Sequence, residues 1–158
     1  MSFKRLLAAA CLCAAASSVF AQINVEDAWV RATVPQQRAT GAFMKITSDQ
    51  PVRLVGASSL VAPTVEVHEM KMEGSVMKMR PVSGIDVLRG RITALTPNAY
   101  HVMLLDLKQQ VEVGDSVPLT VVFEDTDKKR SSVEVVAQAR PLSPPSGPSM
   151  PGMASMPR

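Results

Sequence analysis

The sequence predicts an all-β domain, either a sandwich or a barrel, and two observations lead to this fold class. Short runs rich in Val, Ile, Thr and Leu recur along the chain, separated by Gly, Pro, Asn or Asp. No helical period persists over a window of about 11 residues. Roughly eight to ten short strands at regular spacing are typical of a β-sandwich or a barrel. We expect antiparallel connections, because no linker is long enough to hold a crossover helix.

Turn residues set the limits of each predicted strand. Proline cannot donate a ladder hydrogen bond, so Pro35, Pro51 and Pro63 mark the breaks around the early strands. Gly84 and Gly90, with the Thr-Pro-Asn turn at 96–98, interrupt the middle of the chain. The predicted strands cover residues 23–32, 40–47, 52–60, the two halves of 65–82, 85–88, 91–95, 100–107, 117–124 and 132–139.

The two ends of the chain differ in composition from the domain between them. Residues 1–21 carry Lys4 and Arg5, then an apolar run, then Val-Phe-Ala, which predicts a secretory signal peptide cleaved before Gln22. A lipoprotein signal at Cys11 is disfavoured, because the residue three positions before it is alanine. Residues 22–140 form the predicted β domain. Residues 141–158 hold half of the twelve prolines and few apolar residues, which predicts a flexible tail.

Charge and cysteine content exclude several function classes. Cleavage removes both cysteines and two basic residues, which leaves 15 Lys+Arg against 14 Asp+Glu, a net charge of +1. The mature chain therefore has no disulfide and no cysteine ligand. Without a basic run interleaved with aromatic residues, we expect no nucleic acid partner, and we expect no small-molecule substrate.

Residues 65–82 are predicted to form a hairpin that gathers soft metal ligands. If Glu73 and Gly74 are the turn, His68 lies opposite Met79 and Met70 opposite Met77. The strand period of two then places all four side chains on one face. Methionines on a strand are also common core filler, so packing is the competing interpretation.

A second pair of ligand-type residues lies on the strand at 100–107. His101 and Met103 are two residues apart and share a face, and the spacing repeats that of His68 and Met70. Thioethers select Cu(I), and imidazole also binds copper. A neutral His and Met set favours a monovalent ion. A blue-copper electron-transfer site needs a cysteine thiolate, which the mature chain lacks.

The spacing of four of these residues resembles a family signature. The pattern resembles the H-x10-M-x21-H-x-M signature of the periplasmic copper chaperones of the PCuAC family. Ten residues separate His68 from Met79, twenty-one separate Met79 from His101, and one separates His101 from Met103. The resemblance covers residues 23–139. It implies a cupredoxin-like Greek-key β-sandwich that binds Cu(I) through those four side chains. It also implies a periplasmic, monomeric carrier that delivers copper to the CuA subunit of cytochrome c oxidase, alone or with a Sco-type protein.

The sequence departs from the family in its tail. Many members carry histidine there, whereas residues 141–158 contain none, so Cu(II) binding is left open. Met150, Met153 and Met156 are spaced by three, which would align them along a polyproline II helix as a mobile Cu(I) relay or leave them in a passive linker. We interpret Met70, Met72 and Met77 as a rim that shields the ion. Two other function classes are a metal-independent structural β-sandwich and a copper-dependent redox enzyme; no nucleophile–base constellation supports an enzyme.

Overall fold

A computed structural model describes residues 21–141 and contains ten β-strands and no α-helix within that range. The strands are β1 (Ile23–Arg31), β2 (Ala39–Ser48), β3 (Val52–Ser59), β4 (Thr64–Glu73), β5 (Val76–Pro81), β6 (Ile85–Val87), β7 (Thr93–Leu95), β8 (Tyr100–Leu105), β9 (Ser116–Asp125) and β10 (Arg130–Arg140). Every predicted strand is present, with ends that differ by a few residues. The described residues include no helix that could span a membrane. Residues 1–20 of the predicted signal peptide and the tail beyond Pro141 lie outside the described residues.

The strands form one hydrogen-bonded sheet that folds over on itself. Its order is β5-β4-β8-β2-β1-β10-β9-β3-β6, with β7 also paired to β2. β3 and β4 lie close together without being paired, so the two halves of the sheet face each other. This sandwich-like all-β architecture confirms the predicted fold class.

One strand pair is parallel, so the expectation that all connections are antiparallel was wrong for this pair. β1 and β10 run parallel, with Trp29 opposite Gln138 and Arg31 opposite Arg140. A crossover helix is needed only when parallel strands follow each other along the chain. β1 and β10 are the first and last strands, so the whole domain serves as their connection.

The core lies between the two halves of the folded sheet. Strands from both halves contribute side chains that alternate with outward-facing residues, as strand geometry requires. The largest fully buried side chains are Phe123, Met44, Ile46, Leu54, Leu104, Leu119, Val30, Val87, Val102, Val111, Val117 and Val121. Met44 is only 2% exposed and belongs to this core.

The register of the β4–β5 hairpin differs from the predicted one. The turn residues are Gly74 and Ser75, not Glu73 and Gly74, so His68 lies opposite Pro81 and Met70 opposite Met79. Gly74 has a φ of +64°, the conformation expected at the first loop residue of a type II′ turn. The hairpin is therefore offset by two residues from the prediction. An offset of two preserves the alternation of faces, so the predicted shared face of the histidine and the methionines is still formed.

Candidate metal centre

Three neighbouring strands bring the predicted ligands to one face of the sheet. β4 pairs with β8 in the register that sets His68 directly opposite His101. β5 flanks β4 on its outer side and carries Met79. Met103 lies two residues after His101, on the same face, and is opposite Gly41 of β2. Ligands far apart in the sequence thus converge because three strands are adjacent in the sheet.

A close contact joins two of the four residues, Met79 and His101. The sulfur of Met79 lies 3.1 Å from Nε2 of His101, and Nδ1 of the same ring lies 3.1 Å from the carbonyl oxygen of Ala99. A carbonyl oxygen only accepts, so Nδ1–H donates and Nε2 of the neutral ring keeps its lone pair. That lone pair is directed at the side where the thioether lies. A backbone carbonyl that fixes the tautomer of a ligand histidine is a common arrangement in metal sites.

Burial lowers the pKa of His101. Desolvation disfavours the charged ring and is the largest cause of the lowered pKa. The carbonyl of Ala99 acts in the opposite direction, and Coulomb interactions with His68 and Arg31 lower the pKa further. A lowered pKa keeps the imidazole neutral near neutral pH. A neutral imidazole is the form that binds metal.

His68 is buried beside this contact, and one of its ring nitrogens has no partner. Its ring centroid lies 6.0 Å from that of His101, and its side chain is 10% exposed. Nε2 lies 2.7 Å from a carboxylate oxygen of Glu66, whereas Nδ1 is buried and has no hydrogen-bond partner among residues 21–141. Because a carboxylate only accepts, Nε2–H donates, and in the neutral ring Nδ1 carries the free lone pair. An unsatisfied buried nitrogen is costly unless a ligand occupies it.

Met79, His101 and Met103 line one cavity of about 300 Å³, which Met70 and Arg31 also border. Gly41 and Phe43 of β2 form the side of the cavity next to β8. The Phe43 ring lies over Gly41, 6.2 Å from the His101 ring and 4.4 Å from Trp29. His68 does not border this cavity, so the structure brings three of the four predicted ligands together at the cavity and leaves the fourth outside it, on the strand next to His101.

Sequence reasoning did not identify Glu66, Gly41, Phe43 or Arg31 as part of this region. Glu66 lies two residues before His68 and therefore on its face, a signal that was available from the strand period. The contribution of Gly41 and Phe43 depends on the pairing of β2 with β8, which the sequence alone does not give.

Neither a carboxylate cluster nor the larger cavity of the described residues offers a comparable set of donors. Within residues 21–141, no group of three or more His, Cys, Asp or Glu side chains is arranged to hold a metal ion. A larger cavity of about 580 Å³ lies over β3, β9 and β10, but its lining contains neither histidine nor methionine.

Comparisons with known proteins identify the family. A family model described as "Putative lipoprotein LpqE-like" matches residues 23–135. The chain belongs to the LpqE-like family. A curated relative, "Putative lipoprotein Lxx21020" of Leifsonia xyli subsp. xyli, is 29% identical over 114 residues, which cover 72% of this chain and 69% of the relative.

Solved structures extend the likeness of this LpqE-like chain to PCuAC domains. The solution structure of the Cu(I) form of DR1885 from Deinococcus radiodurans is 34% identical and has a TM-score of 0.52, and the match covers 73% of this chain and 76% of that protein. The copper-bound PCuAC domain from PmoF2 is 22% identical with a TM-score of 0.56, covering 75% of this chain and 93% of that domain, and it shows the shared fold.

Proposed function

We propose that this chain is an exported Cu(I)-binding carrier, a copper chaperone of the PCuAC type, in which His68, Met79, His101 and Met103 hold the ion. The observation that carries the proposal is the contact between the Met79 sulfur and Nε2 of His101, 3.1 Å long, with Nδ1 anchored on Ala99. Two uncharged soft donors already face each other there. Thioether and imidazole donors together favour Cu(I) over divalent ions.

The free nitrogen of His68 supports a third donor. Nδ1 of that ring is buried without a partner, and the ring lies 6.0 Å from His101. Binding an ion between the two rings would satisfy this atom. Met103 lines the cavity together with Met79 and His101. It supplies the fourth donor through small changes of side-chain rotamer, because methionine has several rotatable bonds.

Partial solvent exposure of the site suits a protein that transfers its bound copper ion to a partner. Met79 is 49% exposed, so a partner can approach the ion from the β5 side. Neutral His and Met donors hold Cu(I) less strongly than thiolates do, so an acceptor with cysteine ligands can take the ion. We assign the acceptor to this chemical class and, within it, to the CuA subunit of cytochrome c oxidase or a Sco-type protein. The domain supplies binding and transfer, with no catalytic role.

The test is a Cu(I) titration of the purified chain against a competing Cu(I) chelator under reducing conditions. We expect one tightly bound ion in the wild-type chain. Met79→Leu and His101→Ala should each weaken its binding by at least about tenfold, because even outer residues of metal sites typically contribute that much. Met72→Leu is the matched control, since Met72 lies on the same face but does not border the cavity.

Each outcome decides between the functions considered. A chain that does not compete with the chelator would favour a metal-independent structural β-sandwich. Equal weakening by Met72→Leu and Met79→Leu would place the ion elsewhere on the hairpin. Oxidation of a reducing substrate with turnover by the copper-loaded chain would favour a redox enzyme. A titration with Cu(II) in the same format determines whether the oxidised ion also binds.

Export is supported by the composition of residues 1–21 and by the lipoprotein name of the Leifsonia relative. We propose that the mature domain resides in the periplasm. Mass spectrometry of the exported protein tests this proposal. A chain that begins at Gln22 supports cleavage of the predicted secretory signal peptide. A lipid attached at Cys11 would instead indicate a membrane-anchored lipoprotein.

A further inference from the structure

The outer half of the β4–β5 hairpin carries a second set of thioethers that the proposed copper site does not use. Met72 lies directly opposite Met77, one pair further from the core than Met70 and Met79. Directly paired residues lie on the same face of the sheet, and the faces alternate along each strand. Met70 and Met72 are two and four residues after His68, so both pairs lie on the face of His68. Four thioethers thus form two consecutive cross-strand pairs.

These side chains are exposed to solvent and are not core filler. Met72 is 55% exposed and Met77 is 43% exposed, whereas the core residue Met44 is 2% exposed. All residues of β5 are exposed, and β5 is an edge strand with one side unpaired. Apolar side chains left in water forgo the stabilisation that burial gives, so another role accounts for their presence better than packing does.

Charged side chains and thioethers lie on opposite faces of the outer half of the hairpin. On the opposite face, Arg80 Nε lies 2.6 Å from Glu69 and the Lys78 ammonium lies 2.6 Å from Glu73. These ion pairs span the two strands and keep the charged groups away from the thioether face. In the outer half of the hairpin, this face therefore presents thioethers and no charged side chain, which suits a soft monovalent ion.

We propose that Met72 and Met77 form a second, weaker Cu(I)-binding site that leads to the main one. Opposed Cβ atoms in a sheet lie about 4.5–5.5 Å apart, close enough for two flexible thioethers to converge on one ion. The next pair, Met70 and Met79, borders the main cavity, so an ion can pass from pair to pair to His101. With two thioethers and no imidazole, the outer site binds more weakly than the main site and fills second. This inference rests on the proposed function for its direction of transfer.

The experiment follows the methionine methyl groups by NMR in the full chain labelled with [methyl-¹³C]methionine. Cu(I) is added under reducing conditions, with Ag(I) as an air-stable monovalent probe in a parallel titration. We expect the Met79 and Met103 methyls to shift with the first equivalent and the Met72 and Met77 methyls with the second. Met44 is the internal control, because its buried methyl group lies away from both sites.

Two variants separate this inference from the proposed function. In His68→Ala/His101→Ala, the first equivalent should shift Met72 and Met77. In Met72→Leu/Met77→Leu, which keeps side-chain volume, the hairpin should bind no second ion while the first binds as before. Val76→Leu is the control for changes at the hairpin tip. Shifts at Met79 and Met103 without shifts at Met72 and Met77 would overturn this inference alone, and the reverse pattern would overturn the proposed function.

Discussion

Glu66 gives His68 a defined role at the level of single side chains. Its carboxylate accepts from Nε2 of His68 at 2.7 Å, which leaves Nδ1 free and buried. A carboxylate that holds the far nitrogen of a histidine fixes the tautomer and makes the near nitrogen a better donor. Glu66 lies opposite Met103 in the β4–β8 pair, so it is adjacent to two of the proposed ligands without being one of them.

Replacing Glu66 with glutamine tests this role. Glu66→Gln removes the charge and permits either tautomer of His68, so we expect Cu(I) affinity to fall by about tenfold or more, as at comparable outer positions of metal sites. Chelator competition measures the affinity, and ¹⁵N NMR of the imidazoles reports which nitrogen carries the proton. Glu69→Gln is the matched control, since Glu69 lies on the opposite face and pairs with Arg80. Unchanged affinity together with an unchanged tautomer would show that Glu66 does not orient the ring.

The ring of Phe43 approaches residue 41 so closely that only glycine fits there without displacing the ring. A Cβ added at Gly41 would lie 2.7 Å from Cζ of Phe43, and Phe43 borders the cavity beside His101. Gly41→Ala should therefore displace the ring, lower the free energy of unfolding by about 1–3 kcal/mol, as overpacking typically does, and weaken Cu(I) binding.

The matched control for Gly41→Ala is Gly56→Ala on β3, where an added Cβ meets no atom within 4 Å. Denaturant unfolding followed through Trp29 fluorescence measures the stability, because Trp29 stacks on Phe43. Equal effects of the two substitutions would mean that the ring of Phe43 moves aside without cost.

At the level of elements, the β4–β5 hairpin shows which features a sequence specifies strongly. The turn was predicted at Glu73-Gly74 and lies at Gly74-Ser75, because a positive φ suits the first loop residue of a type II′ turn. The predicted partner of His68 was therefore wrong. The predicted face was right, since a register offset by two residues leaves every side chain on its own side. Alternation is encoded in each strand, whereas the exact partner depends on one turn.

Asp27 fastens three strands at an irregular point of the sheet. It has a φ of +49° within a register shift between β1 and β2, and its carboxylate lies 2.6 Å from Arg140 of β10 and 3.8 Å from Lys45 of β2. The hydrogen bond from Arg140 is the largest cause that lowers the pKa of Asp27 below its ordinary value of 3.8.

The lowered pKa fixes the sign of a pH effect on stability. The folded state favours the charged carboxylate, so this contribution is present above pH 3.8 and is lost as the pH falls through the lower folded pKa. Asp27→Asn keeps a residue type that tolerates the left-handed backbone. We expect a lower Tm at pH 7 and a smaller fall in Tm on acidification below pH 4. Asp106→Asn, which loses only an exposed contact of 4.0 Å with Arg38, is the control for thermal melts at both pH values.

At the level of the whole molecule, the sequence predicted the strands better than their arrangement. Patterns of Val, Ile and Thr with turn residues located all ten strands, because they are local signals. The parallel pairing of β1 with β10 and the adjacency of β4, β8 and β2 are long-range features that no local pattern encodes. Gly41 and Phe43 entered the site through those pairings, whereas Glu66 lies on the same strand as His68 and could have been recognised from the strand period. His101, Met79 and Met103 were predicted as ligands because the chemistry of soft donors and a family spacing both pointed to them, and the structure places all three on one cavity.

The tail provides a test that separates folding from transfer. β10 ends at Arg140, and the described core draws on β1 to β10 and the loops between them, so deletion of residues 141–158 should leave Tm and the affinity for the first Cu(I) ion unchanged. The deletion removes Met150, Met153 and Met156, and we expect it to slow Cu(I) transfer to a thiolate acceptor peptide in stopped-flow measurements. The matched control replaces these three methionines with leucine in the full-length chain, which keeps the tail but removes its sulfur donors. Slower transfer in both variants would establish a thioether relay, slower transfer in the deletion alone would assign the effect to the tail's length, and unchanged rates in both would make the tail a passive linker.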